Sequence, residues 1–429
     1  MRSTFFGLDI ARRALQAQQR ALDVVGHNIA NANTPGYSRQ VAVLSTSPAY
    51  TLPSFHSPLQ AGQVGTGVQV EAIRRLRDEF VEMQLRNETE SSGRWEARYE
   101  ALQQVELMIQ EPSDLGLRDA LDQFWQSLQD LHQQPESDAA RAVVRERALA
   151  LTAAFQHVHK QLSDLRADLD RMVGLEVQRI NSLLERLADV NGQIYRVALS
   201  GQEPNDLLDQ RDQLLLELAE LADIHVTVLD NRMVEVSIGG LTVVDGNRAV
   251  PLVAEPDPAN GDLLAVRWEP TGKALTITNG RLAGILEARD QLVAGYLQDL
   301  DTLAATIIVE FNNVHRSGYT LEDPAQSGGD FFTGTGAQDF GVHDDILQDL
   351  KKIAASASGE PGDGGNALEL ARIFEQPFAG LGGVSMDDYL RSFVSSVGVA
   401  PPAARHHAPS GRHPGRHAGK PAPPDQRFL

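Results

Sequence analysis

The feature that most constrains the fold is a series of apolar stripes with helical spacing between about residues 78 and 222. They predict helices over 78–110, 117–132, 137–200 and 205–222, and the helical region ends near Ala222. In the third segment, large apolar residues recur every three or four positions from Phe155 to Leu187, which is typical of one buried helix face. A continuous helix there would be roughly 90 Å long. The sequence therefore predicts a mainly α protein with a helical-bundle or coiled-coil body.

Between residues 224 and 278 the apolar period changes to two. Ile224, Val226 and Val228 alternate with polar residues, and turn signals such as Asp245-Gly246 separate the short runs. Helical spacing returns from Gly280. We therefore predict a small β domain inserted in the helical body, and an α+β, multidomain fold overall.

The first helix, predicted over residues 5–30, has a different character. Its apolar residues step by three and four positions, which is a heptad period with one polar break at Gln18. Such a helix needs a partner to cover this seam, although an ordinary bundle helix would show the same periodicity. The seam, predicted to be an assembly surface, consists of Leu8, Ala11, Leu15, Leu22, Val25 and Ile29.

An asparagine-rich block ends this helix. Thr34-Pro35-Gly36-Tyr37 suits a type II turn, with Pro at the second position and Gly at the third. Residues 41–70 are predicted to be extended, with a short strand at 68–70. We interpret the glycine-rich 62–67 as a flexible linker, because the strand and helix that flank a phosphate loop are missing.

Composition excludes several functions. The chain has 38 Lys and Arg against 58 Asp and Glu, a net charge of −20, which disfavours nucleic acid. No uninterrupted apolar run approaches the ~20 residues of a membrane span, and the N-terminus lacks the apolar core of a secretory signal. The chain contains no cysteine, and no sequence motif for catalysis, a cofactor or a metal is convincing. The sequence thus predicts no enzyme activity, no cofactor and no membrane insertion.

Three blocks of the sequence resemble one family. The first block, typical of flagellar rod and hook proteins, is Val25 to Tyr37, and its continuation Ser38-Arg39-Gln40 resembles the flagellar hook-associated protein 1 family. Its motif residues are Asn28, Asn31, Asn33, Thr34, Pro35, Gly36, Tyr37, Ser38, Arg39 and Gln40. The second block is a signature containing Asn205, Asp206, Leu208, Asp209, Arg211 and Asp212. The third block is 284–290, and Asn312, His315, Gly318 and residues 329–332 agree as well.

The resemblance implies a structural subunit of the bacterial flagellum at the hook–filament junction, required for flagellum assembly and motility. It implies terminal helices paired as a coiled coil, and as partners sister copies in an axial ring, the hook protein, the second hook-associated junction protein and an export chaperone. Secretion through the flagellar type III apparatus would need no cleaved signal peptide.

The end of the chain departs from that family. A long C-terminal heptad helix is expected after Val399, but residues 400–429 are rich in Pro, His and Arg. We predict that this tail is disordered rather than helical, and that it results from a frameshift or truncation near codon 400. Without the C-terminal helix we expect weak or absent incorporation into the flagellum, although the helical body and the β domain should still fold.

The predicted organisation therefore has six parts. They are an assembly helix (1–32), an extended linker (33–77), a helical domain (78–223, continued by 280–316), a small β domain (224–279), a loop-rich part with short helices (317–399) and the tail (400–429). The alternatives are another rod or hook subunit, a non-functional truncated copy, a hydrolase carried on a flagellar scaffold and a cytoplasmic coiled-coil adaptor. An assay for peptidoglycan hydrolysis and detection of the protein outside the cell distinguish the last two.

Overall fold

A computed structural model describes residues 5–50, 64–109, 116–322 and 324–407, with side chains up to residue 397. The contacts divide the chain into two compact units. The described residues of 1–91 and 176–280 form the first unit, and those of 92–175 and 281–407 lie in the second. This division cuts through the segment 78–223 that the sequence analysis kept together, and the predicted domain boundaries stay a prediction.

The helices follow the periodicity closely. The predicted bounds of the four body helices hold to within one residue, and the 38 residues from 280 to 317 are helical with a π-helical segment at Ala288–Val293. The α-helices are α1 (Phe6–Ala30), α2 (Glu79–Ile109), α3 (Leu117–Gln133), α4 (Asp138–Leu199), α5 (Asn205–Leu221), α6 (Gly280–Glu287), α7 (Ala294–Ser317), α8 (Asp344–Gln348), α9 (Gly365–Arg372) and α10 (Met386–His407).

The strands form small antiparallel sheets. β1 pairs with β2, β3 to β6 form a meander of four strands, β7 to β9 form a second meander, and β10 pairs with β11. The strands are β1 (Gln40–Thr46), β2 (Val68–Arg75), β3 (Ile224–Val228), β4 (Val234–Ile238), β5 (Leu241–Asp245), β6 (Arg248–Ala249), β7 (Leu252–Asp257), β8 (Leu263–Trp268), β9 (Lys273–Ala274), β10 (Phe332–Thr333) and β11 (Gly341–Val342).

In the first unit, α1 packs on the β1–β2 hairpin. Ala17 and Val24 are buried on the face of α1 opposite to the predicted seam. Gly67 directly precedes the return strand with φ of +106°, and a Cβ there would lie 3.4 Å from the side chain of Ile10. The predicted extended linker is therefore partly a hairpin, longer than the strand expected at 68–70. Residues 51–63, including Gly62, lie outside the described part.

Two asparagines on α4 attach the small β sheets to the helix. The Asn191 Nδ2 donates to the carbonyls of Val234 and Gly246, both at 2.8 Å, and its Oδ1 accepts from the Val234 N–H at 3.2 Å. Asn181 makes the same type of two-way contact with the main chain of Leu252, at 2.8 Å each way. These amides satisfy main-chain groups that apolar packing on the helix would leave unpaired.

The second unit has an aromatic core. Phe124 lies 5.5 Å from Phe311 and 5.6 Å from Phe332 between ring centroids, and all three are buried. Asn312 and His315, at the end of α7, are buried beside these rings. Because they lie on a core helix, they need internal hydrogen-bond partners.

The helical stretch Gly280–Ser317 is long and apolar enough to cross a membrane, with a mean hydropathy of 1.4 over its best window. It is the one such helix among the described residues, and the expectation from uninterrupted apolar runs missed it. Length and composition of this kind are weak evidence for a membrane span, because the core helices of other proteins share them. Here Leu300, Leu303, Ile307 and Phe311 are buried within the second unit, as expected of a core helix.

The C-terminus corrects one expectation. α10 continues to His407, so residues 400–407 are helical although the sequence analysis expected no helix from Ala400 onwards. Proline fixes φ near the helical value, so Pro401 and Pro402 can remain in a helix at the cost of missing hydrogen bonds. Ala403 and Ala404 favour helix strongly. The rest of the predicted tail, 408–429, lies outside the described residues.

Candidate functional site: a polar junction beside an exposed seam

The asparagine-rich block forms the predicted turn at the end of α1. Gly36 has φ of +77°, and the Tyr37 N–H donates to the Thr34 carbonyl at 3.2 Å, as a type II turn requires. A Cβ at residue 36 would lie 3.0 Å from the Gln213 Oε1 of α5. Glycine therefore suits this position for its backbone conformation and for its close approach to α5.

Asn28 then ties the helix to the strand that follows the turn. Its Oδ1 accepts from the Gln40 N–H and from the Tyr37 hydroxyl, both at 2.8 Å. Its Nδ2 donates to the Gln40 carbonyl at 2.8 Å. The Asn28 side chain thus pairs with both the N–H and the carbonyl of Gln40, as the main chain of a neighbouring strand would. This pairing fixes the direction in which β1 leaves α1.

The turn block and the second signature meet in space, although about 170 residues separate them in the sequence. Asp209, on α5, accepts from the Ser38 N–H at 2.9 Å and from the Ser38 hydroxyl at 2.6 Å. Gln40 donates from Nε2 to Asp206 Oδ1 at 3.0 Å, and Asn205 donates to the Ile73 carbonyl of β2 at 2.8 Å. Ser38, Gln40, Asn205 and Asp209 are all buried.

Three arginines complete this cluster, and they are Arg75 at the end of β2, Arg77 just after it and Arg211 on α5. Arg75 Nη1 lies 2.8 Å from Asp209 Oδ1 and 2.9 Å from Asp212 Oδ2, and Arg77 Nη1 lies 3.0 Å from the same Asp212 oxygen. Arg211 donates twice to the other oxygen of Asp212, at 3.0 and 2.8 Å. Burial would raise the pKa of Asp212, but Arg211, Arg75 and Arg77 hold it below its usual range. Asp212 is therefore ionised at neutral pH.

We call this cluster the polar junction. It comprises Asn28, Ser38, Gln40, Arg75, Arg77, Asn205, Asp206, Asp209, Arg211 and Asp212. Buried ion pairs of this kind add little net stability over apolar packing. They define one geometry, because removing one partner leaves the other charges buried and unpaired. The junction thus fixes how the module of α1 and its hairpin sits on α5.

Other motif residues lie outside the junction. The side chains of Asn33, Pro35 and Arg39 are exposed, Leu208 is half-buried, and Asn31 accepts at Oδ1 from the hydroxyl of Thr34 at 3.2 Å. Arg75 and Arg77 were not predicted as site residues, and the signal available in the sequence was the basic run 74–77, which overlaps the end of β2. Among the described residues, no group of three or more His, Asp or Glu could hold a metal ion.

The predicted seam is exposed. The relative exposure is 67% for Leu8, 72% for Leu15, 70% for Leu22, 50% for Val25 and 72% for Ile29, and Ala11 is exposed as well. α1 therefore has two apolar faces, one packed on the hairpin and one open to solvent. An open line of large aliphatic side chains on one helix marks an interaction surface.

The third resemblance block lies in the second unit. Gly284 allows a close approach of two helices, since a Cβ there would lie 2.4 Å from the Arg94 carbonyl oxygen. Glu287 binds Arg94 at 2.9 Å and Arg98 at 2.6 Å. Arg289 is buried in the π-helical segment and lies 2.6 Å from Asp170.

The motif residues near the end of α7 bind the glycine-rich turn. The Asn312 Oδ1 accepts from the N–H groups of Phe331 and Phe332 at 2.9 Å each. The His315 Nε2 accepts from the Ala354 N–H at 2.9 Å, so its Nδ1 carries the proton donated to the Gly329 carbonyl at 2.7 Å. Burial lowers the pKa of His315 to about 4, which keeps the imidazole neutral.

Comparison with known proteins defines the class and then the family. Residues 8–37 match the family model for the flagella basal body rod protein, so α1 and its turn are those of a flagellar axial protein. Residues 102–332 match the model for the helical domain of flagellar hook-associated protein FlgK. The chain belongs to the flagellar hook-associated protein 1 family, whose members are structural proteins of the flagellum.

Relatives support this assignment. Flagellar hook-associated protein 1 of Bacillus subtilis is 33% identical over 93% of this chain and 86% of its own length. The Salmonella typhimurium protein of the same name is 32% identical over 75% of this chain, and that match spans 58% of its length. The flagellar hook junction protein FlgK from Burkholderia pseudomallei shares the fold, with a TM-score of 0.54 and 24% identity over 58% of this chain and 46% of that chain.

Proposed function

We propose that this chain is a structural subunit that joins hook to filament in the bacterial flagellum. The observation that carries the proposal is the combination of the exposed seam on α1 with the polar junction that holds α1 in place. A seam of Leu8, Leu15, Leu22 and Ile29 at heptad spacing suits a helix covered by other helices.

The energetics favour assembly. Full burial of a Leu, Ile or Val side chain contributes about 1.5–3 kcal/mol. The five large seam residues together therefore offer on the order of 10 kcal/mol per subunit before the cost of ordering. This is a weak contact for one pair in solution, but a strong one when each subunit is held by several neighbours in a ring.

The proposed partners are sister copies of the chain, the hook protein, the second hook-associated junction protein and, before export, a flagellar chaperone. The proposed location is the extracellular hook–filament junction, reached through the flagellar export apparatus without a cleaved signal peptide. We propose no catalysis, no nucleic acid and no membrane insertion, and the net charge of −20 supports the second of these.

The test is complementation of a strain that lacks its own hook-associated protein 1. The full chain is expected to be exported and to be found at the hook end only at a low level, as its atypical C-terminus predicts; antibody labelling of isolated flagella measures this level. The variant Leu15→Glu/Leu22→Glu, which alters only exposed side chains, is expected to be exported normally but not incorporated. The variant Gln19→Glu, on another exposed position of α1, is the matched control.

Retention of the full chain inside the cell would contradict the proposal. So would incorporation of the double seam variant at the level of the unchanged protein, because then the seam would not be the assembly surface.

A further inference from the structure

A second surface in the first unit is open to a partner. A groove of about 720 Å³ lies beside the N-terminal turns of α2, next to α5 and strand β3. Its lining is unusual for a chain with a net charge of −20, because it includes six arginines. They belong to Arg74, Arg75, Arg77, Arg86, Arg211 and Arg232.

Four of these arginines have acidic partners. Three belong to the polar junction, and Arg232 pairs with Glu203. Among the described residues, the side chains of Arg74 and Arg86 make no hydrogen bond and no close ion pair, although Arg86 attracts the Glu90 carboxylate on the same helix electrostatically. Each therefore offers an unused planar donor set to a partner at the groove, of the kind that binds a carboxylate with two parallel hydrogen bonds.

Large apolar side chains lie between the arginines. Phe80 is 61% exposed, Met83 46% and Val228 66%, and all three line the groove. Phe80 and Met83 are three residues apart on α2 and so share one face. Exposed aromatic and Met side chains beside Arg are the composition found at the centre of protein–protein interfaces.

We propose that this groove binds an amphipathic helix of a partner protein, with acidic side chains along one edge of its apolar stripe. The stripe would cover Phe80, Met83 and Val228, and the carboxylates would pair with Arg74 and Arg86. Nucleic acid fits less well, because acidic side chains already neutralise four of the six arginines, and a row of phosphates needs more free cations than Arg74 and Arg86 provide. The surface is separate from the α1 seam, so the inference does not depend on the proposed function.

The test uses the full chain and a fluorescent peptide of about 18 residues, long enough for five helical turns. The peptide carries Leu at positions i, i+3, i+4 and i+7, so that the Leu side chains form one stripe along the helix, and Glu beside that stripe. The control peptide has the same Leu residues and Lys in place of Glu. Fluorescence anisotropy is expected to show saturable binding of the Glu peptide and at least about tenfold weaker binding of the Lys peptide.

Variants locate the site. Arg74→Glu/Arg86→Glu is expected to raise the Kd of the Glu peptide at least about tenfold, and Phe80→Ser is expected to do the same. Arg248→Glu, which changes an exposed arginine elsewhere on the first unit, is expected to leave the Kd within about twofold. If the charge-reversal variant has an altered circular dichroism spectrum and is therefore misfolded, the milder variant Arg74→Gln/Arg86→Gln replaces it in the binding assay.

The proposal is overturned if the two peptides bind equally, or if neither binds at ~1 mM. It is also overturned if the groove variants bind the Glu peptide as the unchanged chain does. Loss of self-association in these variants, without peptide binding, would instead show that the groove contacts a second copy of the chain.

Discussion

Replacing Asp209 by alanine tests the polar junction at its centre. The carboxylate of Asp209 accepts three hydrogen bonds, from the Ser38 N–H at 2.9 Å, the Ser38 hydroxyl at 2.6 Å and Arg75 at 2.8 Å. Asp209→Ala would leave the Ser38 groups buried without an acceptor. Arg75 would keep its bond to Asp212, so it would not be stranded.

The expected loss follows from these contacts. A buried donor left without a partner costs about 1–3 kcal/mol, and removing one member of a buried ion pair costs about 3–5 kcal/mol. Because Arg75 retains one acidic partner, we expect about 3 kcal/mol for Asp209→Ala. The matched control is Asp206→Ala. The Asp206 side chain is 73% exposed, and we expect less than about 1 kcal/mol for the loss of its hydrogen bond to Gln40 and its contact with His27.

The assay is hydrogen–deuterium exchange of peptides that cover β1 and β2. An isolated two-stranded hairpin is only marginally stable, so its protection reports docking of the module on α5. A loss of about 3 kcal/mol corresponds to exchange roughly 100-fold faster. Unchanged hairpin exchange in Asp209→Ala, or an equal effect of Asp206→Ala, would refute the reasoning.

Three further predictions concern stability. Burial lowers the pKa of His315 to about 4, so the second unit should lose about 2 kcal/mol of stability as pH falls from 7 to 5, because the unfolded chain gains the proton first. Nitrogen NMR should show one imidazole that is still neutral at pH 5. Titration of every histidine near its ordinary pKa would contradict this. Burial raises the pKa of Glu90 to about 7, so stability of the first unit is lost as pH rises towards 7. Glu90→Gln should then stabilise it by about 1–2 kcal/mol at pH 8 and leave urea unfolding unchanged at pH 4, whereas no gain at pH 8 would be the wrong outcome. Asn191→Ala should lower the free energy of urea unfolding by about 2–3 kcal/mol, because it leaves the Val234 and Gly246 carbonyls unpaired. Gln193→Ala, at an exposed position of the same helix, is the control. Equal effects of the two variants would argue against the contact.

The periodic parts of the fold could be predicted from the sequence. The helices over 79–109 and 138–199 follow from apolar spacing, because each buries one continuous face, and the strand Val234–Ile238 follows from alternation. The helix continuing to His407 could not be predicted, because the rule against proline in helices is a preference that neighbouring alanines can outweigh.

The candidate site was predictable only in pieces. The exposed seam followed from the heptad period of residues 8–29, and the turn followed from Pro35-Gly36. The contact between Ser38 and Asp209 joins segments about 170 residues apart, and no local pattern encodes such a distance. Arg75 could not be assigned either, since the basic run 74–77 does not show which arginine meets a carboxylate, and an arginine at the end of a strand is more often exposed than placed between two carboxylates.

The central claim is that the α1 seam is open in the free subunit and covered in the flagellum. Because the chain has no cysteine, the single variant Leu15→Cys carries the only thiol, and its rate of reaction with a maleimide reports exposure directly. Ala17→Cys, at a position buried against the hairpin, gives the rate for a covered residue on the same helix. We predict that Leu15→Cys reacts rapidly in the purified monomer and at the slow Ala17→Cys rate in isolated flagella. Equal rates for Leu15→Cys in the monomer and in the flagellum would contradict the account.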